Sequence, residues 1–175
     1  MRWFLLAIVA YAAVVVQATL FVPGGLALSI HDHWTRPDLV LIVGVFVALY
    51  YRPLHTYAAA WGLGLAADLV TVTGRLGLQA LLFCAVLTGL SSARRVLNRG
   101  WVLTQSVVTF AAVLAVHAAW YAAARYLGGA PPDPLRSLEQ AALDAAYSGI
   151  LAPYVIWLLL RLRGPLGVLL EPSEM

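Results

Sequence analysis

The sequence predicts an all-α, polytopic membrane protein with six transmembrane helices, and three observations predict it. Hydrophobic residues make up 62% of the 175-residue chain and charged residues 11%, against roughly 45–50% apolar and about 25% charged in an ordinary soluble domain. The mean hydropathy is +0.85. The apolar residues fall into long runs broken by Pro, Gly and Arg, several of them near the roughly 20 residues that a helix needs to cross a hydrocarbon core about 30 Å thick. A water-soluble fold of this size has no use for so much apolar surface, so residues 1–175 read as one integral membrane domain.

Taken in order, the expected helices are 3–22, 37–51, 54–72, 76–92, 101–127 and 138–162. The first follows Arg2 and ends in Val16, Gln17 and Ala18, which has the look of a secretory signal. Further long apolar runs behind it favour an uncleaved first span. The second run is short for a crossing, with Pro37 expected at its first helical position and the Arg52, Pro53 pair ending it, so that spans two and three make a tight hairpin. In the third, Ala60, Gly64 and Asp68 lie at four-residue steps with Ala58, Gly62 and Ala66 alongside, a broad face of small residues. Such spacing lets helix backbones approach closely where lipid gives no hydrophobic drive to association. Intramolecular packing is the first reading of that face and docking of another membrane protein the second; Gly64→Leu is expected to weaken one or the other. Gly62, Gly64 and Ala67 also spell G-x-G-x-x-A, but inside an apolar helix with no preceding strand this is no dinucleotide fingerprint. In the fifth run His117, Tyr121 and Arg125 make a polar stripe, with Gln105 and Thr109 nearer the other end. The last run is expected to start with Ser137 as cap and Gln140 completing a capping box, after the Pro131, Pro132, Asp133, Pro134 loop. Arg161 and Arg163 at its far end suit the headgroup layer.

All eleven basic residues are arginine and the net charge is +3. They are dealt out singly or in pairs between apolar runs, which favours lipid headgroups and excludes the basic face that nucleic-acid binding needs. With six spans and an inside N-terminus, Arg2, Arg52, Arg94, Arg95, Arg99, Arg161 and Arg163 fall in the cytoplasm, against Arg36, Arg75, Arg125 and Arg136 outside. That bias places both termini in the cytoplasm. The loop with Arg94, Arg95 and Arg99 is the densest basic patch, suited to anionic inner-leaflet lipid or a cytoplasmic partner.

Few residues offer chemistry. Cys84 is the only cysteine, so neither an internal disulfide nor a cysteine-rich metal site can form. Asp68 and Asp144 lie deepest in apolar runs, and a buried acid in a membrane marks function by default. The structural alternative for Asp68 is to cap or anchor the bend toward Gly74 and Arg75, pairing with Arg75; no relay of carboxylates points to proton or ion transport. His117 is read as hydrogen-bonded within the bundle, and a Ser148–His117 nucleophile lacks the strained turn that such serines occupy. His31, Asp32 and His33 supply too few fixed ligands for a metal. No catalytic residue, cofactor or metal is expected.

The order of features resembles the MreD family of rod-shape-determining membrane proteins, through most of the chain. Gln17 closes the first span; Arg36, Pro37 and Asp38 open the second; Gly64 to Leu69, then Leu76 and Gly77, are similar to the family's G-x-x-x-D-L and L-G segment, with the Asp68 to Gly77 interval one residue longer. Gly149 and Pro153, followed by Arg161 and Arg163, resemble its closing helix. The resemblance implies a non-enzymatic scaffold of the bacterial elongation machinery in the cytoplasmic (inner) membrane. It would bind the single-span protein MreC, in an assembly with MreB, RodA and a class B penicillin-binding protein that directs lateral peptidoglycan synthesis and rod shape. It also implies a fold similar to the substrate-binding components of energy-coupling-factor transporters. The competing expectation is a small-molecule, vitamin-like binding component of a transporter, but the Ala-x-x-x-Ala pair such components carry on their first helix is absent between Trp3 and Val22.

Overall fold

The computed structural model describes residues 3–20, 28–30, 33–70, 77–93, 101–126 and 133–162. Its elements are α1 (Trp3–Leu20), β1 (Leu28–Ile30), β2 (His33–Thr35), α2 (Leu39–Tyr50), α3 (Pro53–Val70), α4 (Leu78–Ala93), α5 (Val102–Tyr126) and α6 (Pro134–Arg161). The described chain is therefore all-helical apart from one two-stranded antiparallel hairpin, in which Ser29 faces Trp34.

The organising element is α2. Its residues are apolar all round, and every one from Leu39 to Leu49 is buried, the pattern of a helix enclosed on all sides. All five other helices contact it. Twelve residues give a helix only about 18 Å long, which explains why this run looked short. The remaining helices close around it in two hairpin pairs, α3 with α4 and α5 with α6, and these pairs share the most extensive interfaces in the molecule. α1 packs on α2 and α3.

Local chemistry moved several expected boundaries. Pro37 is not the first helical residue of α2: Asp38 occupies the cap, with its carboxylate accepting from Leu41 N at 3.0 Å. A side-chain acceptor aimed at the third helical amide stops the helix more firmly than proline's fixed φ starts it. Pro53 instead opens α3 directly after Tyr51 and Arg52. α6 begins at Pro134, four residues before the expected start and without a capping box. Ser137 lies inside its first turn, its hydroxyl donating to Asp133 O at 3.0 Å, and Gln140 reaches across to Trp34 O at 3.5 Å.

The exterior is apolar where helices face outward. Phe4 is 78% exposed, Leu69 74%, Ile150 68% and Trp157 60%. By length and apolarity, α5 and α6 are the two helices among the described residues able to cross a membrane unaided, while α1, α2 and α4 are apolar but shorter. α3 carries His55 and Asp68 within its length.

Candidate functional site

A helix starting inside a protein leaves backbone N–H groups with neither helical partners nor water. The start of α2 solves this with side chains from α1 and α6. Val40 N donates to Gln17 Oε1 at 3.3 Å, Leu41 N to Asp38 Oδ1 at 3.0 Å, and Asp38 N to Ser148 Oγ at 2.9 Å. Ser148 Oγ in turn donates to Asp144 O at 2.7 Å. One residue before Pro37, Arg36 N donates to Asp144 Oδ1 at 3.0 Å. Gln17 and the Pro37, Asp38 pair, read from the sequence only as separate motif positions, are brought together here with Asp144 and Ser148 at the start of α2. Those two sit one turn apart on α6, so the four-residue spacing was a readable sign that they share a face.

A second polar junction binds α3 to α4. Asp68 Oδ2 accepts from Gly77 N at 2.9 Å and Ala80 N at 3.2 Å, and Oδ1 accepts from Gln79 N at 3.2 Å. The carboxylate serves as an N-cap supplied by the neighbouring helix, and negative charge there suits the positive end of the α4 dipole. Asp68 is 5% exposed. The interval to Gly77, longer by one residue, still closes this contact. Gly77 has φ +97, a conformation that glycine adopts at no steric cost. Arg75, the expected partner of Asp68, lies outside the described residues. One turn before Asp68, Gly64 lets the two backbones touch: a Cβ there would lie 2.9 Å from Ala80 N and 3.1 Å from Gln79 O.

The small-residue face of α3 is in fact two faces. Ala60, Gly64 and Asp68 are buried against the bundle, whereas Ala58 and Gly62 are exposed and Ala66 half-buried. Nothing lies within 4 Å of a Cβ added at Gly62. On that side α1 and α3 leave an apolar groove of ≈ 460 Å³, floored by Ala7, Ala10, Ala58, Gly62 and Ala66. In α6, Gly149 admits the α5 backbone, with Ser106 O at 3.1 Å from its would-be Cβ. Pro153, one turn on, breaks the helix's regular N–H ladder at the Gly149 carbonyl.

Beside the start of α2 lies a polar cavity of ≈ 360 Å³ lined by Gln17, Arg36, Asp38, His117, Gln140 and Asp144 among others. A neighbouring cavity of ≈ 340 Å³ shares Arg36, His117, Gln140 and Asp144 and adds Tyr121. Of the polar stripe expected on α5, His117 and Tyr121 line these cavities, whereas Arg125 is exposed and lines neither. His117 and Ser148 were weighed as a pair from the sequence, but only the fold joins Arg36 and Asp38 to Asp144 and Ser148, more than a hundred positions away.

Comparison with family models, curated proteins and solved structures gives no match to this chain.

The other candidates divide cleanly. Arg94, Arg95, Arg99, His31 and Asp32 lie outside the described residues, and no group of three metal-ligating side chains occurs among the described ones. Ser148 is fully buried with its hydroxyl engaged by Asp38 N and Asp144 O. Cys84 is half-buried.

Proposed function

We propose that this chain is a multi-pass membrane scaffold with six spans and both termini in the cytoplasm, and that it serves the bacterial elongation machinery as MreD-type proteins do. In this reading it binds MreC, within an assembly that includes MreB, RodA and a class B penicillin-binding protein, and carries out no catalysis. The observation that carries the reading is how the motif residues are used. Gln17, Gly64, Asp68 and Gly77 are spent on joining helices and Asp38 on capping α2, while nothing stands within 4 Å of a Cβ added at Gly62 in the apolar groove. The apolar exterior of α1, α3, α4, α5 and α6 supports lipid contact around the bundle, with the short α2 enclosed at its centre.

The groove, and not the Gly64 face, is the surface available to a partner's transmembrane helix, because Gly64 is covered by α4. Two measurements test this. Deleting the gene in a rod-shaped host should round or widen the cells; unchanged shape sinks the assignment to wall synthesis. Gly62→Leu should cut recovery of MreC with the tagged protein at least about fivefold, about 1 kcal/mol of lost packing, with the protein's own yield unchanged. Full recovery in that variant removes the groove as the docking face.

A further inference from the structure

We infer that the paired polar cavities at the start of α2 form a binding site for a small molecule bearing a cationic amine and a hydrogen-bonding oxygen, independently of any role in wall synthesis. The larger cavity, ≈ 360 Å³, lies in the range of small-ligand sites, about 300–1,000 Å³. Two carboxylates stand in its wall, Asp38 at 8% and Asp144 at 7% exposure. Charges taken out of water this far are costly unless a counter-charge or donors face them. Asp38 has a donor: its Oδ1 takes the Leu41 amide at the α2 cap. Asp144 has one too. Its Oδ1 takes the Arg36 amide, and its Oδ2 takes no hydrogen bond from any described residue.

The cations nearby do not fill that gap. Among the described residues the one ion pair is Arg136 with Asp133 at the surface; Arg36 is exposed at the cavity mouth, where solvent screens it. His117 lines both cavities, and among the described residues it closes no ion pair with either carboxylate. An ammonium group in the cavity would give Asp144 Oδ2 a charge-assisted partner of the strong kind. The second half of the recognition comes from Tyr121. Its hydroxyl is buried at the adjoining cavity with no partner among the described residues, a donor in want of an acceptor. Both cavities share Asp144, so one molecule can span the two groups.

Three probes of nearly one shape test the charge preference: 3-aminopropanol, propane-1,3-diol and 3-hydroxypropionate, titrated against the full chain in lipid nanodiscs by saturation-transfer NMR. The amine should bind with a Kd at least about tenfold below that of the diol, and the carboxylate should bind no better than the diol. Asp144→Asn keeps the acceptor for Arg36 N and removes the charge, and should bring the amine to the diol's Kd. Ala18→Trp, on the exposed rim of the larger cavity, should abolish the amine signal without touching any hydrogen bond of the core. Equal binding of amine and diol, or tightest binding of the carboxylate, overturns the proposal. So does an unchanged amine Kd in Asp144→Asn. If Asp144→Asn lowers the melting temperature, Ala18→Trp decides, and undiminished amine binding there overturns it.

Discussion

On one side of α3 two helix backbones touch; on the other side, two residues along, the same helix borders an open groove. Gly64 lies so close to α4 that a single added carbon would meet Ala80 N and Gln79 O, and Asp68 then pins the start of α4 with three backbone hydrogen bonds. Gly62 meets nothing. Both positions hold glycine, and composition alone cannot separate them. The difference teaches that a small residue in an apolar helix can mean a contact already made or a surface still unoccupied, and that the nearest polar residue tells which. Where a buried carboxylate follows one turn later, the approach is fixed and internal. Where only alanines follow, the face stays bare.

The most damaging way to break this comparison is Gly64→Leu. The side chain would have to displace backbone instead of a flexible side-chain end, so the expected loss exceeds about 3 kcal/mol, at the upper end of overpacking effects and a large part of a typical 5–15 kcal/mol stability. Thermal unfolding in detergent or recovery of monodisperse protein measures it. Wild-type stability in that variant would mean that α3 and α4 do not touch at Gly64. Next comes Asp68. Asp68→Ala leaves three N–H groups at a poorly hydrated helix start and should cost about 2–3 kcal/mol, while Asp68→Asn, which keeps one acceptor oxygen, should cost about half as much. Hydrogen exchange at the Gln79 and Ala80 amides sharpens the assignment. Accelerated exchange there with slow exchange preserved in α5 and α6 marks a local loss of the cap.

Much of the helical architecture was legible, because apolar runs separated by Pro, Gly and Arg admit few other readings. The errors have physical reasons. Helix α2 starts at Leu39 because Asp38 can reach Leu41 N, a side-chain geometry that proline placement alone does not report. The hairpin of Leu28–Ile30 with His33–Thr35 was missed, since three-residue strands give too little alternation to stand out. Asp68 caps the start of α4 through backbone amides, in line with the cap-or-anchor role read from the sequence; the further pairing with Arg75 lies outside the described residues. The polar junction at α2 was the least legible feature. Asp38 and Ser148 are 110 residues apart, and nothing local to either residue announces the other. The splitting of the α3 face, by contrast, was readable: positions two apart on an α-helix differ by about 200° around the axis, so Gly62 and Gly64 could never have shared one contact.

The smallest expected effect carries the sign that separates the two faces. Gly62→Ala adds a methyl group where nothing stands within 4 Å, so no packing is lost, and alanine is favoured over glycine in a helix interior by about 1 kcal/mol in water. The variant should therefore be equal to or slightly more stable than the parent, by at most about 1 kcal/mol. Gly64→Ala, with the same added atom on the same helix, should be destabilised, because that atom meets the α4 backbone before any gain in helix preference can offset it. Melting curves of the two variants under one set of conditions give the comparison directly. Opposite signs follow from one sealed face and one open face; a loss of equal size at both positions would mean that α1 already closes the groove over Gly62.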